Sequence, residues 1–191
     1  FGGNVMESGS MTLGLAGGYI DNDAVTAGGG TTTKIKGYHL AAYTSYGMGA
    51  TTLTGAVTAA YQDQDISRNV LSGGAIVGAN STPEAWVVGA GFGIGHAIAL
   101  EKGFTLTPKA SFGWQHMTRE SLTETGGGLG GMSVGEITTD TMRGQAGAEL
   151  SLMVRDPNAM WSVRPSIRAG VAQEWRAGDD NARGTFTSTG A

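Results

Sequence analysis

Cysteine is absent from the 191 residues, prolines number only 4, and charged side chains make up just 15% of the sequence. Without cysteine, the chain can form neither a disulfide framework nor a thiolate metal site. No run of apolar residues approaches the length of about 18 that a transmembrane helix requires, so no such helix is predicted in this sequence. The net charge is −4 and no basic run occurs, which argues against nucleic acid as a partner.

Glycine, by contrast, occurs 34 times, and many of these residues lie inside a regular alternation. Between positions 86 and 95, apolar residues occupy every even position, and glycine occupies the odd positions from 89 onward; between 104 and 114 the even positions are again apolar. Side chains alternate across a β-strand, so a period of two indicates one apolar face and one small or polar face. These runs are about twice as long as the usual globular strand of roughly 5–6 residues.

The same alternation recurs along the chain and predicts seven long strands. They cover residues 11–21, 34–47, 51–63, 86–95, 104–115, 142–156 and 162–175. Short connections alternate with long ones at 63–83 and 118–141, and residues 185–187 form a candidate for one more strand. Long strands with one lipid-compatible face predict an all-β fold, an antiparallel up-and-down transmembrane β-barrel. Because bacterial barrels have an even number of strands and no free edge, we expect further strands beyond the C-terminal end and up to two beyond the N-terminal end.

The two parities of these strands give two sets of candidate residues. Charges are costly in lipid, so the polar parity is expected to face the lumen and the apolar parity the membrane. The lumen-facing candidates are Lys109, Arg143, Gln145, Glu149, Arg164, Arg168 and Glu174. The candidates for lipid contact or an interfacial aromatic girdle are Trp86, Phe92, Phe104, Phe112, Trp114 and Trp175. The lumenal charges are expected either to hold a threaded segment or to brace neighbouring strands.

Patterns associated with catalysis and metal binding are weak. Ser133 lies in a G-x-S-x-G sequence, but that motif requires a strand before it and a helix after it, whereas glycines precede and strand-like residues follow here. The histidines His39, His96 and His116 are far apart on different predicted strands. The sequence therefore predicts no catalytic residue, no metal site and no cofactor.

Four segments, in order, resemble motifs of the autotransporter β-domain family. Residues 104–114 (FTLTPKASFGW) resemble its l-x-P-x-a-x-l-x-y/w strand, and residues 122–126 (LTETG) its f-x-E-x-G loop. Residues 141–147 (TMRGQAG) are similar to its s-x-R-x-x-x-G strand. Residues 163–175 are similar to its l-x-P-x-x-x-x-x-w-x-h-e strand, with Gln and Trp where the family more often ends in His-Glu.

This resemblance implies a barrel of about twelve strands in the bacterial outer membrane, of which residues 1–191 would be a part. It also implies a function, the anchoring and export of an N-terminal passenger by type V secretion, without enzymatic activity. The implied partners are outer-membrane lipid, the chain's own passenger or linker helix in the lumen, and the barrel-assembly machinery. Two alternatives remain at this stage: a porin-like or adhesin-type outer-membrane barrel, and a soluble Gly/Thr-rich β domain with a binding role.

Overall fold

The structure is a computed structural model that describes residues 1–26, 30–155, 162–178 and 184–186. Within these residues the chain forms sixteen β-strands and two 3₁₀ turns, at Glu101–Gly103 and Gly128–Gly130. Among the described residues, no helix is long and apolar enough to span a membrane. The strands are β1 (Gly2–Ser8), β2 (Met11–Val25), β3 (Thr31–Met48), β4 (Thr51–Ser72), β5 (Ala75–Ser81), β6 (Glu84–His96), β7 (Ile98–Ala99), β8 (Phe104–Arg119), β9 (Leu122–Thr123), β10 (Thr125–Gly126), β11 (Met132–Val134), β12 (Ile137–Leu152), β13 (Val154–Arg155), β14 (Ser162–Val163), β15 (Ser166–Gly178) and β16 (Gly184–Phe186).

The main sheet is antiparallel and follows the order β1-β2-β3-β4-β6-β8-β12-β15. The seven strands from β2 to β15 in this order correspond to the seven predicted strands, and each pairs with the one before it. This is the up-and-down topology expected of a barrel wall, and the prediction of fold class is confirmed. In the described part of the chain, β1 and β15 do not pair with each other, so both are edges of the sheet.

The connections at the two ends of the sheet differ in length. At one end, two-residue turns join β1 to β2 and β3 to β4, with Gly9 and Gly49 at φ angles of 56° and 59°. Glycine adopts this left-handed conformation without the steric penalty that a Cβ atom incurs. At the other end, β4 and β5 form a long hairpin, and residues 120–136 form an elaborate loop. Short turns on one side and long loops on the other are typical of outer-membrane barrels.

The structure corrects several predicted boundaries. Residues 63–83 are not a polar connection, because β4 continues to Ser72 and then pairs with β5. Residues 118–141 contain β9, β10 and β11, and β12 already begins at Ile137. Residues 2–8, for which no strand was predicted, form β1, and the predicted strand 162–175 is continuous only from Ser166. At 185–187, the described residues belong to β16, which pairs with β11 outside the main sheet, while residue 187 lies outside the described residues.

Few side chains are buried in this fold. In the described chain, the buried hydrophobic residues other than glycine are Ala79 and Ala85, while many large apolar side chains are exposed. A soluble β-sandwich packs its apolar strand faces against each other, so this distribution is the reverse of what that alternative predicts. The apolar side chains instead form an outer surface suited to a hydrocarbon environment.

Candidate functional site

The two faces of the sheet differ in shape and chemistry. A cavity of about 880 Å³ is lined by Thr52 and Thr54 of β4 and also by Arg168 of β15, four places away in the sheet. One cavity can touch both strands only if the sheet curves around it, so the face that carries these residues is concave. We call this the concave face and the opposite one the convex face.

The convex face is apolar, as the alternation predicts. All six predicted lipid-facing or girdle residues lie on it, and Phe92 has 65% of its surface exposed. The other exposed apolar residues of this face include Leu15, Leu40, Val57, Val88, Ile94, Ile167 and Val171. Charged side chains at such positions would be unfavourable in lipid by about 2–4 kcal/mol each near the bilayer midplane.

Aromatic residues form a row across the convex face. Tyr19, Tyr38, Tyr61 and Trp86 are direct cross-strand neighbours on β2, β3, β4 and β6. The ring centroids are 5.2 Å apart for Tyr19 and Tyr38 and 4.9 Å apart for Tyr61 and Trp86. Farther across the same convex face, Trp114 on β8 and Trp175 on β15 are both cross-strand neighbours of Met142 on β12. Tyrosine and tryptophan are enriched at membrane–water interfaces, so this row has the composition of a girdle.

The apolar band below this row has a height suited to an outer membrane. On β3 the band runs from Tyr38 to Tyr46, and at about 3.4 Å per residue its eight-residue length is about 27 Å along the strand. With a tilt of about 40°, the height is about 21 Å, close to the roughly 25 Å of known barrels. Charges begin just above the row, where Lys36 lies between Asp21 and Asp63.

Trp114 also has a polar partner at this level. Its indole Nε1 donates a hydrogen bond to Asp140 Oδ1 at 3.0 Å, and His116 Nδ1 lies 3.0 Å from the same oxygen. Tryptophan at an interface commonly has one apolar and one hydrated side, and this arrangement orients the ring accordingly. Trp114 was a predicted girdle residue, whereas nothing in the sequence pattern marked Asp140 as its partner.

On the concave face, three predicted residues form one ion-paired cluster near the short-turn end. Lys109 Nζ on β8 lies 2.6 Å from Glu149 Oε2 on β12, and Arg168 Nε on β15 lies 2.8 Å from the same oxygen. The carboxylate is largely covered, with 11% of its side chain exposed, whereas the Arg168 side chain is 72% exposed. These ion pairs connect the neighbouring strands β8, β12 and β15, as one of the two predicted roles requires. The three side chains together have a net charge of +1.

Arg164, just before β15, adds another positive charge beside this cluster. Its Nε and Nη2 donate to Ser151 Oγ at 3.1 and 3.0 Å. Ser151 is almost fully buried, with 2% of its surface exposed. Because a serine hydroxyl is neutral, this contact holds the guanidinium in place without compensating its charge. Lys109, Glu149, Arg164 and Arg168 together carry a net charge of +2 and all line the 880 Å³ cavity.

The other three predicted concave residues lie farther from the short-turn end. Arg143 and Gln145 line a second cavity of about 460 Å³, with Tyr43 of β3 among its other lining residues. Glu174 is opposite Arg143 in register but forms its ion pair with Arg176 at 2.8 Å. All seven predicted residues thus share the concave face; that this face encloses the lumen of a closed barrel stays a prediction.

Beside these charged residues, the concave face of β6 carries almost no side chains. The concave positions of β6 are all glycine over a continuous stretch, and Gly113 and Gly147 extend the bare surface onto β8 and β12. The glycines of β6 are Gly89, Gly91, Gly93 and Gly95. Bare backbone permits close approach of another chain.

On the neighbouring part of the concave face, Tyr43 of β3 lies over Gly14 of β2, where a Cβ atom would overlap the tyrosine ring. The Tyr43 hydroxyl donates a hydrogen bond to Asn4 Oδ1 at 3.0 Å.

A second polar cluster, at the long-loop end, was missed by sequence reasoning. Arg68 on β4 forms two hydrogen bonds with the Glu124 carboxylate, and its Nη2 also donates to Gly130 O at 2.9 Å. Glu124 Oε2 accepts a further bond from Met132 N at 2.8 Å. These contacts fix residues 120–136 against the β4–β5 hairpin, and we call this assembly the loop anchor. Arg68 holds the pKa of the Glu124 carboxyl below its usual value, with a smaller contribution from the Met132 amide.

The weak sequence patterns do not assemble into a catalytic or metal-binding site within the described residues. Ser133 lies on β11 and is followed by β12 rather than a helix; its Oγ is 3.0 Å from the Thr123 hydroxyl. His96 Nδ1 is 2.8 Å from Thr51 Oγ1, and His39 is on the concave face of a different strand. No group of three or more His, Asp or Glu side chains converges as a metal site in the described part of the chain.

Comparisons with known proteins agree with this architecture. The fold resembles that of the translocator domain of autotransporter NalP from Neisseria meningitidis, with a TM-score of 0.71 and 21% sequence identity. The match covers 98% of this chain and 61% of that one, so this chain spans about three-fifths of the length of the solved domain. No curated protein gave a match. A family profile described as the autotransporter beta-domain, a family of transport domains rather than of enzymes, matches residues 1–191. The chain belongs to the autotransporter β-domain family.

Proposed function

We propose that this chain forms part of the wall of an outer-membrane translocator that anchors and exports an N-terminal passenger. One observation supports this most strongly: the same curved sheet has an aromatic and aliphatic band on its convex face and charged residues on the concave face at the same level. Such a sheet can contact lipid on one side while it encloses water and polypeptide on the other. Family membership supports the assignment to type V secretion.

The mechanism would be steric and conformational rather than chemical. The apolar band would hold the barrel in the bacterial outer membrane, and the exported chain would pass along the concave face. Small residues on β4 and β6 leave room for a passing segment, while the charged residues of β8, β12 and β15 offer polar contacts. The partners in this proposal are outer-membrane lipid, the chain's own passenger or linker helix, and the barrel-assembly machinery. We propose no catalysis by residues 1–191.

Two measurements on the full-length parent protein test this function. The first is the gel mobility of unboiled and boiled samples purified in detergent, since a closed barrel with all strand edges paired remains folded until heated. The second is protease digestion of intact cells, which reports whether the passenger is at the surface. We expect a heat-dependent shift and a protease-accessible passenger. A barrel without any exported passenger would favour a porin-like protein, and a detergent-independent protein without a shift would favour a soluble β domain.

A further inference from the structure

The concave face has a strongly asymmetric charge distribution. Its positive side chains lie on one half, contributed by β8, β12, β15 and the segment leading into β15. The other half is lined by the glycines of β6 and the threonines of β4. We propose that the positive half is a binding track for an acidic peptide segment of the exported chain. The track consists of Lys109, Arg143, Arg164 and Arg168. This inference rests on the proposed export function and specifies the chemistry of the segment that occupies the concave face.

The hydrogen-bonding of the track leaves donors for such a ligand. Arg168 uses its Nε on Glu149, and Arg164 uses Nε and Nη2 on a neutral serine hydroxyl, although each guanidinium has five N–H donors. Lys109 shares the one carboxylate with Arg168, and about half of the lysine side chain is exposed. The cluster therefore has more positive charge and more donors than its own acceptor can satisfy. Carboxylates are the peptide groups that best complement arginine, through paired charge-assisted hydrogen bonds.

The length of the track favours a peptide over a small anion. Along β12, Arg143 is six residues, or about 20 Å, from Glu149, the residue that pairs with Lys109 and Arg168. A small anion would contact only one end of this distance, whereas about six extended or thirteen helical residues would span it. The glycine surface beside the track lets the backbone of such a segment approach closely. An elongated segment with several Asp or Glu residues fits both properties.

Ser111 provides a position from which to capture the segment. It lies on the concave face of β8 and lines both cavities, next to Lys109 and opposite Gln145. The experiment places a photocrosslinking amino acid at residue 111 of the full-length protein, produces it in cells, irradiates during export, and identifies the crosslinked peptide by mass spectrometry. We expect crosslinks to a segment of the same chain in which Asp and Glu outnumber Lys and Arg.

Charge variants then test whether the track causes the capture. The double variant Arg143→Gln, Arg168→Gln is expected to lower the crosslink yield at least about threefold. A threefold loss of affinity needs only about half of the binding free energy that a tenfold loss needs. Arg143→Lys with Arg168→Lys should retain most of the yield because the charge remains. Lys36→Gln, on the convex face, is the matched control. Each variant is checked for the heat-dependent mobility shift, which reports whether it folds. If the double Gln variant does not fold, the amino-acid composition of the segment captured by the unaltered protein decides whether the track binds an acidic peptide.

The outcomes separate this inference from the function on which it rests. Crosslinks to a neutral or basic segment, or yields that do not change in a folded double Gln variant, would overturn the acidic track and leave export intact. If no segment of the chain is captured and the passenger does not reach the cell surface, the export function itself fails, and the track with it.

Discussion

Two carboxylates bound by arginine, Glu124 and Glu149, lie at opposite ends of the sheet and differ in how their charges balance. In the loop anchor, one arginine, one carboxylate and one backbone N–H satisfy each other. In the cluster near the short turns, one carboxylate is shared by two cations, and Arg164 adds a third beside a neutral partner. The first group is electrically neutral, whereas the second has a net positive charge.

This difference indicates different purposes. A balanced, covered ion pair fixes local structure, and removing one partner leaves the other charge uncompensated. An unbalanced group on the wall of a cavity is instead available to a ligand, because its remaining donors have no acceptor of their own. We therefore expect changes at Glu124 to alter the order of residues 120–136, and changes at Glu149 to alter what the concave face attracts.

The largest effect is expected from Glu124→Gln. Loss of the negative charge leaves Arg68 without its ionic partner, and opening of residues 120–136 should become easier by about 2 kcal/mol, or roughly 30-fold. Thermolysin cleavage next to Leu129 in the folded full-length protein measures this opening. Glu120→Gln, an exposed carboxylate at the start of the same loop, is the control and should cleave at the original rate. Equal rates for both variants would show that the anchor does not hold the loop.

Acid should weaken the same anchor. The pKa of Glu124 is lowered in the folded protein from its usual 4.5, so its contribution to stability is fully present above that value and is lost as the pH falls through the lowered pKa. The measurement is hydrogen exchange of the Gly127 and Met132 amides, corrected for intrinsic rates. Protection should be constant from pH 7 to about pH 5. In more acid solution it should decline by at most about tenfold per pH unit. In Glu124→Gln this decline should disappear; a decline of the same size in that variant would assign the titration to another group.

The contrast also explains what the sequence could and could not predict. The period of two placed Lys109 and Glu149 on one face and Phe92 on the other, as the strand pairing does, because parity depends only on local strand geometry. Above the aromatic row, polar residues occupy both faces of β4, so the apolar alternation fades, and the strand beyond position 63 was predicted as a connection. The pairing of Arg68 with Glu124 joins residues 56 positions apart through a folded loop. Neither spacing nor periodicity encodes that contact, although the glutamate lay in a recognised loop motif.

A smaller effect is expected at Glu149. Glu149→Gln raises the net charge of the four-residue cluster from +2 to +3 and frees Lys109 and Arg168 to attract anions. In planar bilayers that contain the full-length parent, the permeability ratio of chloride to potassium should rise about twofold, because clustered charge raises the local concentration of counter-ions. Glu149→Asp keeps the charge and serves as the control. An unchanged reversal potential would mean that this cluster does not face the conducting path.

The smallest effect is expected from Ser151→Ala, which removes the hydroxyl that holds Arg164. The loss of a buried acceptor for an arginine should cost about 1 kcal/mol, and we expect the temperature of the mobility shift to fall by about 2 °C. Ser166→Ala alters the exposed cross-strand neighbour of Ser151 and should leave this temperature unchanged. Because the serine is neutral, the chloride-to-potassium ratio should also stay the same. A change in that ratio comparable to the one for Glu149→Gln would show that the position of Arg164, and not only the total charge, determines the electrostatics of the concave face.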